Sequence, residues 1–238
     1  MKLSVVLPAL NEQARLPYTL SEIERYICQE RIDAEVIVVD NGSDDATSVV
    51  VQQAASRFPR LRLLRTDRRG KGLAVRTGVL AALGDVVIFA DADLSWSVED
   101  LSRFMSLVDP KNAPVVIGSR EGIGSRRVDE PWYRHVMGRV FNRVVQTLVV
   151  PDIEDSQCGF KAFDHAAANA IFRRQSINGF GFDVEVLYLA RWLGYPVQVV
   201  PLRWEHKQNS RVAPVRDTLM MLRDVLRVRQ RAWRGGYE

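Results

Sequence analysis

Gly84-Asp85-Val86-Val87-Ile88-Phe89-Ala90-Asp91-Ala92-Asp93-Leu94-Ser95-Trp96 is where the chain changes character most sharply. Val86 to Ala90 are continuously apolar and rich in β-branched residues, the pattern of a strand buried on both faces, and the run stops on two carboxylates one residue apart. In open α/β sheets ligands gather beyond the carboxyl ends of the strands, so Asp91 and Asp93 stand where a hard cation and a phosphate would meet. Carboxylate oxygens suit Mg2+ or Mn2+, and Mg2+ usually takes one or two of them together with substrate phosphates. The competing reading is a strand end followed by a helix start, since Ser97-Val98-Glu99-Asp100 carries capping chemistry.

The residues before this stretch repeat its plan. Leu3 to Leu7 is a short apolar strand turned by Pro8-Ala9-Leu10-Asn11-Glu12, after which Leu16, Leu20, Ile23 and Ile27 recur at helical spacing with Pro17 in the first turn. Ala34 to Asp40 is a second buried strand ending in acid, followed by the turn formers Asn41-Gly42-Ser43. Asp44-Asp45-Ala46-Thr47 opens a helix with negative charge at its positive end, and Leu61 to Leu64 reads as a third strand. Thr66-Asp67-Arg68-Arg69-Gly70-Lys71-Gly72 then leads into a helix from about Leu73 to Leu83. Glycines flanking a lysine at a helix N-terminus make either a phosphate cradle or an ordinary flexible loop. Beyond Asp93 a helix runs to Val108, and Pro114 to Gly118 is a further strand ending in Ser119-Arg120.

Strands alternating with helices predict a mostly parallel central sheet with helices on both faces, an α/β nucleotide-binding architecture. No Gly-x-Gly-x-x-Gly follows the first strand and no Walker lysine motif is present, which removes the main support for dinucleotide and P-loop readings. The second half is less regular. Pro131 to Val150 places apolar residues on one broad face with Arg134, Arg139 and Arg143 interleaved, as in a core helix or one lying on a membrane. Residues 152–161 form a polar, acid-rich loop, a helix begins at Phe182, and Pro196 to Trp204 reads as an edge strand. From about Pro214 the chain closes as an arginine-rich amphipathic helix, in which Leu219, Met220, Leu222, Val225, Leu226 and Val228 can form an apolar stripe beside Arg223, Arg227 and Arg231, as in an interfacial helix or one docked on the domain with its arginines in water.

At 238 residues, 47% of them hydrophobic, the chain is long enough for one large domain, expected over residues 1–213, with the basic helix over 214–238 as its tail. Linkers, repeats and low-complexity tracts are lacking. Met1-Lys2 leads straight into the first strand, without the core of a signal peptide, and no run approaches the roughly 18 apolar residues of a membrane-spanning helix. Cys28 and Cys158 are too few and too separate for a disulfide framework or metal cluster. A cytoplasmic protein, soluble or peripheral, is expected. Net charge is +4, and the seven arginines from Arg211 to Arg234, against Asp217, Asp224 and Glu238, are enough to account for it. A second basic stretch runs from Arg57 to Arg76; such patches attract phosphate in a nucleotide, a nucleic acid or a membrane surface.

Taken together, Val5-Val6-Leu7-Pro8-Ala9-Leu10-Asn11-Glu12, Val38-Val39-Asp40-Asn41-Gly42-Ser43, Arg69-Gly70-Lys71-Gly72, Asp91-Ala92-Asp93-Leu94-Ser95 and Gly118-Ser119-Arg120, then Asp155-Ser156-Gln157-Cys158-Gly159-Phe160-Lys161, Phe182-Asp183-Val184-Glu185 and Ser210-Arg211-Val212, resemble a known family in its own order. It is that of the inverting GT-A glycosyltransferases of family 2, and within it the dolichyl-phosphate glucosyltransferase and polyprenyl-phosphate mannose synthase group. The Gln-Cys-Gly-Phe-Lys and Phe-Asp-Val-Glu segments look closer to the glucosyl branch. The resemblance implies a GT-A, Rossmann-like fold. It implies that Pro8, Glu12 and Asp40 lie around the base and ribose of a nucleotide sugar, with Leu10, Gly42, Lys71, Asp91 and Ala92 completing that site. Asp91 and Asp93 would hold Mg2+ or Mn2+; Arg120, Arg134 and Arg211 would bind phosphate of the donor or acceptor; and Asp93, Arg120 and Asp155 would carry the chemistry. Leu10, Asn41 and Arg211 stand where many relatives have an aromatic residue, Asp and Lys.

The reaction so implied is transfer of a hexose from UDP-glucose or GDP-mannose to a polyprenyl phosphate at the cytoplasmic membrane face. Cations aimed at the departing diphosphate would stabilise charge as it develops. A lipid phosphate arrives anionic and needs no strong base; a soluble hydroxyl acceptor, the alternative, would use Asp155 as base instead of as an orienter of arginine. A sugar nucleotidyltransferase would need a glycine-rich loop near the first strand, and Pro8-Ala9-Leu10-Asn11-Glu12 does not supply one. A nucleic-acid-binding role is not expected, because two acidic strand ends would repel a phosphate backbone.

Overall fold

The computed structural model describes residues 2–128, 132–205 and 214–237. Its first half alternates as the apolar runs predict: β1 (Leu3–Ala9), α1 (Leu16–Gln29), β2 (Ala34–Asp40), α2 (Thr47–Ala55), β3 (Leu61–Arg65), α3 (Lys71–Leu80), β4 (Val86–Ala90), α4 (Asp100–Leu107) and β5 (Val115–Ser119). The second half adds β6 (Arg126–Val128), α5 (Trp132–Leu148), β7 (Phe160–Asp164), α6 (His165–Arg174), α7 (Phe182–Trp192), β8 (Val197–Pro201), β9 (Arg203–Glu205) and α8 (Pro214–Trp233).

Seven strands form one sheet in the order β3-β2-β1-β4-β7-β5-β8, with β6 and β9 pairing separately. All neighbours in the large sheet are parallel except around β7, which runs antiparallel to both β4 and β5. The mostly parallel α/β sheet inferred from the sequence is therefore present, with one strand inserted against the grain. Because β7 reverses direction between them, β4 and β5 point the same way, and Asp91, Gly159 and Arg120 come to one edge. Between β1 and β4 the chain changes the side on which it adds strands, which is the switch point where open α/β sheets bind ligands.

Two apolar layers cover the sheet. Val5, Leu7, Val36, Val38, Ile88 and Ala90 face α1, α2 and α4, while Val6, Ile37, Val39, Val87 and Phe89 face α3 and the helices of the second half. Period-2 alternation thus splits each strand between two dry faces, which is why β2 and β4 are buried throughout. Phe89 sits within 6.4 Å, ring to ring, of Phe163, Phe172 and Phe182, so one residue joins β4, β7, α6 and α7. Burying such a side chain stabilises by about 1.5–3 kcal/mol.

Two expectations from the sequence need revision, and a third reading is narrowed. Pro196 to Trp204 is not one edge strand. β8 does close the sheet beside β5, but fully buried Leu202 donates its amide to Ser119 O at 2.8 Å and breaks the run, and β9 pairs with β6 instead. Of the two readings of α5, the core helix holds in its middle: Phe141 and Val145 are buried in the core, with Val140 left exposed. The apolar residues of α8 do not form one stripe either. Met221, Val225 and Val228 are buried in the same core as α5 and α7, and Leu219, Leu226 and Trp233 point outward. Among the described residues no helix is long and apolar enough to cross a membrane.

Candidate active site

The C-terminal strand edge is held together by its loops. Asn11 takes a left-handed conformation (φ 54) that an asparagine tolerates, and its side-chain oxygen accepts from the Asp44 amide at 2.8 Å while its own amide donates to Ser43 Oγ at 2.8 Å. The loop after β1 is thereby fastened to the loop after β2, bringing Pro8, Leu10, Glu12, Asp40 and Gly42 together. Glu12 is nearly buried and receives both Nε and Nη2 of Arg15 at 2.6 Å. Asp40, at the end of β2, accepts from the Ser43 amide at 2.9 Å and from the Ser48 hydroxyl. Burial alone would push its carboxyl up, but these hydrogen bonds and the Arg65 guanidinium hold it below the ordinary aspartate value. Asp40 therefore stays charged and orients its own turn. Gly42 has φ 75, which suits glycine at this turn.

Asn41 extends the fastening to the lysine loop. Its Oδ1 accepts from the Gly70 amide at 2.8 Å and from Thr66 Oγ1 at 3.3 Å. Gly70 must be glycine for another reason: a Cβ there would lie 2.4 Å from the carbonyl oxygen of Asn178. Gly72 is pressed the same way against Ile177 O and Phe182. Lys71, the first residue of α3, thus projects from a tightly docked helix N-terminus, and its ammonium lies 2.6 Å from Asp91 Oδ1.

Asp91 is fixed from the other side. Its amide donates to Gly159 O at 2.9 Å, and a Cβ on Gly159 would sit 2.1 Å from Asp91 Oδ2. Asp93 accepts from the Ser95 amide at 3.0 Å; burial and the neighbouring Asp91 charge push its carboxyl up. Ala92 is buried, and its carbonyl accepts from Thr19 Oγ1 at 2.8 Å. Two carboxylates crowded at a strand end, one of them destabilised as an anion, are chemically suited to a divalent cation completed by phosphate oxygens. Among the described residues no cluster of three His, Cys, Asp or Glu is gathered to hold a metal ion.

Across β7, Arg120 and Asp155 form the second half. Asp155 is fully buried; both its oxygens accept from the Arg120 guanidinium at 2.8 Å, and Oδ2 also accepts the Arg120 amide at 2.9 Å. The guanidinium lies over the Trp204 ring, 5.6 Å from its centroid. Cys158 is buried and its thiol is pushed up to about 12 by burial and by Asp155, the state of a packed residue and not a nucleophile. The side chain of Arg134 and all of Arg211 lie outside the described residues.

Some contributors escaped the sequence reading. Arg15, paired to Glu12, also faces the charges of Asp91 and Asp93. Lys161 is fully buried on β7 and its ammonium reaches Asp183 at 2.5 Å, Cys158 O at 2.7 Å and the face of Phe89. A lysine inside an otherwise apolar Phe-Lys-Ala-Phe run was the visible signal, since a buried ammonium requires a buried partner.

Comparisons with known proteins bear on the family and the fold. Residues 4–180 match the family model described as Glycosyl transferase family 2. The dolichyl-phosphate beta-glucosyltransferase of Dictyostelium discoideum is 34% identical over 242 residues, spanning 96% of this chain and 74% of that one. The protein of the same name from Homo sapiens is 32% identical over 251 residues, covering 98% of this chain and 78% of its own. Among solved structures, glucosyl-3-phosphoglycerate synthase from Mycobacterium tuberculosis in complex with UDP superposes with a TM-score of 0.74 at 20% identity, over 96% of this chain and 80% of that one. The same enzyme with Mn2+ and UDP-glucose gives 0.72 at 19% identity, over 96% and 79%. At such identity the likeness speaks for the fold.

Proposed function

The chain belongs to glycosyl transferase family 2, and from that membership we propose that it moves glucose from UDP-glucose, with inversion, to a polyprenyl phosphate such as dolichyl phosphate. The observation that carries the choice of acceptor is the Asp155–Arg120 pair. With both oxygens occupied by a guanidinium, Asp155 is a weak base but a rigid mount for a cation. A hydroxyl acceptor would need a proton removed. A phosphate acceptor needs only to be held in line, and on this reading Arg120 holds it.

The donor site is the edge between β1 and β4. Pro8, Leu10, Glu12, Asp40 and Gly42 bound the region assigned to base and ribose, and Lys71 at the N-terminus of α3 faces the diphosphate, where a helix end favours negative charge. Asp91 and Asp93 would hold Mg2+ or Mn2+, which when bound supplies a counter-charge to the departing diphosphate. Arg120, Arg134 and Arg211 are assigned to phosphate. As the bond to UDP lengthens, the sugar carbon gains oxocarbenium character by analogy with glycoside hydrolysis, and the acceptor oxygen attacks from the opposite face.

A lipid acceptor calls for a membrane seat, and α8 offers one. Leu219, Leu226 and Trp233, each two turns from the next, are 63%, 61% and 88% exposed, flanked by exposed Arg223, Arg229 and Arg234, while the opposite face of the helix is bound into the core. Apolar tips between arginines match a surface of anionic lipids. On this reading the protein works as a peripheral enzyme at the cytoplasmic membrane face. Offering dolichyl phosphate and dolichol side by side tests the acceptor: glucose should reach the phosphate alone, and equal transfer to the alcohol would overturn the proposal.

A further inference from the structure

The carboxylate assigned to a metal already carries a cation made by the chain itself. Lys71 Nζ lies 2.6 Å from Asp91 Oδ1. Of the two partners, Asp91 is the one that cannot retreat: its amide is bonded to Gly159 O, and the bare backbone of Gly159 is packed against Oδ2. The lysine backbone is equally fixed, with Gly70 and Gly72 docked on Asn178, Ile177 and Phe182. What remains free to move is the lysine's four-carbon stem. Its ammonium is drawn also by Asp183 and Asp93, so it keeps counter-charge nearby if it leaves Asp91.

We propose that Lys71 is an internal counter-ion which Asp91 gives up to a divalent cation only when a nucleotide diphosphate accepts the ammonium, so that metal and nucleotide binding are coupled through this one side chain. The inference rests on the donor-site reading above. Without nucleotide, a metal must compete with a tethered ammonium for one of its two carboxylates. With nucleotide, the ammonium turns to the diphosphate and the oxygen is released. Coupling of this kind is reciprocal, so the metal tightens the nucleotide by the factor by which the nucleotide tightens the metal.

The test is Mn2+ affinity of the full chain, read from the EPR signal of free Mn2+, with and without UDP, for the wild type, Lys71→Met and Lys71→Arg. Lys71→Met should bind Mn2+ alone about tenfold more tightly than the wild type, and the UDP-induced gain should shrink by about the same factor. Lys71→Arg should keep the wild-type pattern. Thermal melts confirm folding, and Lys71→Gln replaces Lys71→Met if the latter does not fold. Unchanged or weaker Mn2+ binding in the folded neutral variant, or an undiminished UDP effect, overturns the proposal alone. A wild type that binds no Mn2+ even with UDP overturns it together with the donor site.

Discussion

Both carboxylate oxygens of Asp155 are occupied by the guanidinium of Arg120, 2.8 Å from Nε on one side and 2.8 Å from Nη2 on the other, with Asp155 wholly shielded from solvent. The pair makes Asp155 a mount whose effect is felt through Arg120. Asp155→Asn should therefore lower transfer by roughly 10²- to 10³-fold and raise KM for the lipid phosphate, while UDP affinity stays within about threefold of the wild type. Arg120→Lys should not restore the wild-type rate, because an ammonium cannot reproduce the fork. Steady-state kinetics in lipid phosphate, beside calorimetric UDP binding, separate these effects; an unchanged acceptor KM would contradict them.

Gly159 tests the rigidity of Asp91, the carboxylate proposed to face a metal. Gly159→Ala puts a Cβ where Asp91 Oδ2 now sits, a separation of 2.1 Å, so the carboxylate or strand β7 must shift. Loss of Mn2+-dependent UDP binding by at least about tenfold is expected, since sub-ångström placement governs such sites. Wild-type Mn2+ and UDP binding by Gly159→Ala would show that Asp91 is not held as described.

At the other end of the sheet, Glu35 gives a stability prediction with a defined pH window. It is buried in β2 and accepts from Ser4 Oγ at 2.7 Å, the Leu83 amide at 2.7 Å and Arg62 at 2.8 Å. Burial would raise its pKa, but those bonds together lower it below the usual glutamate value. A depressed carboxylate pKa contributes stability that is complete above the unfolded value, about 4.3, and is lost as pH falls through the lower folded value. Glu35→Gln should thus cost on the order of 1–3 kcal/mol in urea melts at pH 7, with the gap to wild type closing below about pH 4. A gap that does not narrow at all as pH falls below about 4 would refute the assignment.

The outward face of α8 predicts lipid binding. Leu226→Glu combined with Trp233→Glu should abolish sedimentation with phosphatidylserine-containing vesicles and leave the melting temperature nearly unchanged, because neither side chain contributes to the core. Deletion from Pro214 onward would remove Met221, Val225 and Val228 from the core and is the less informative variant. Vesicle binding by the double variant equal to wild type would exclude this face as the seat.

Much of this molecule was legible in its sequence, and for a physical reason: a strand buried on both faces is written as an unbroken apolar run, and an acid at its end marks the edge where ligands bind. β1, β2, β4 and β5 are readable as such runs, and so is the position of Asp91 and Asp93 just beyond the end of β4. What stayed hidden depends on contacts between distant segments. The start of β7 reads as the end of a loop because residues 152–161 are polar and acid-rich, and only Asp183, on α7, accounts for the buried Lys161. The close approach of Gly159 to Asp91 and of Gly70 to Asn178 leaves no trace beyond a glycine. For α8 the periodicity was visible, yet which apolar residues would be buried was decided by α5 and α7.

The central claim is met most directly by incubating the full chain with labelled UDP-glucose, dolichyl phosphate and Mn2+ or Mg2+, then measuring label in the organic phase. Label in the lipid, abolished by EDTA and reduced by at least about 10²-fold in Asp93→Ala, is the predicted result. UDP-glucose consumed with label only in water-soluble products, or lipid labelled equally well with EDTA present, would contradict it.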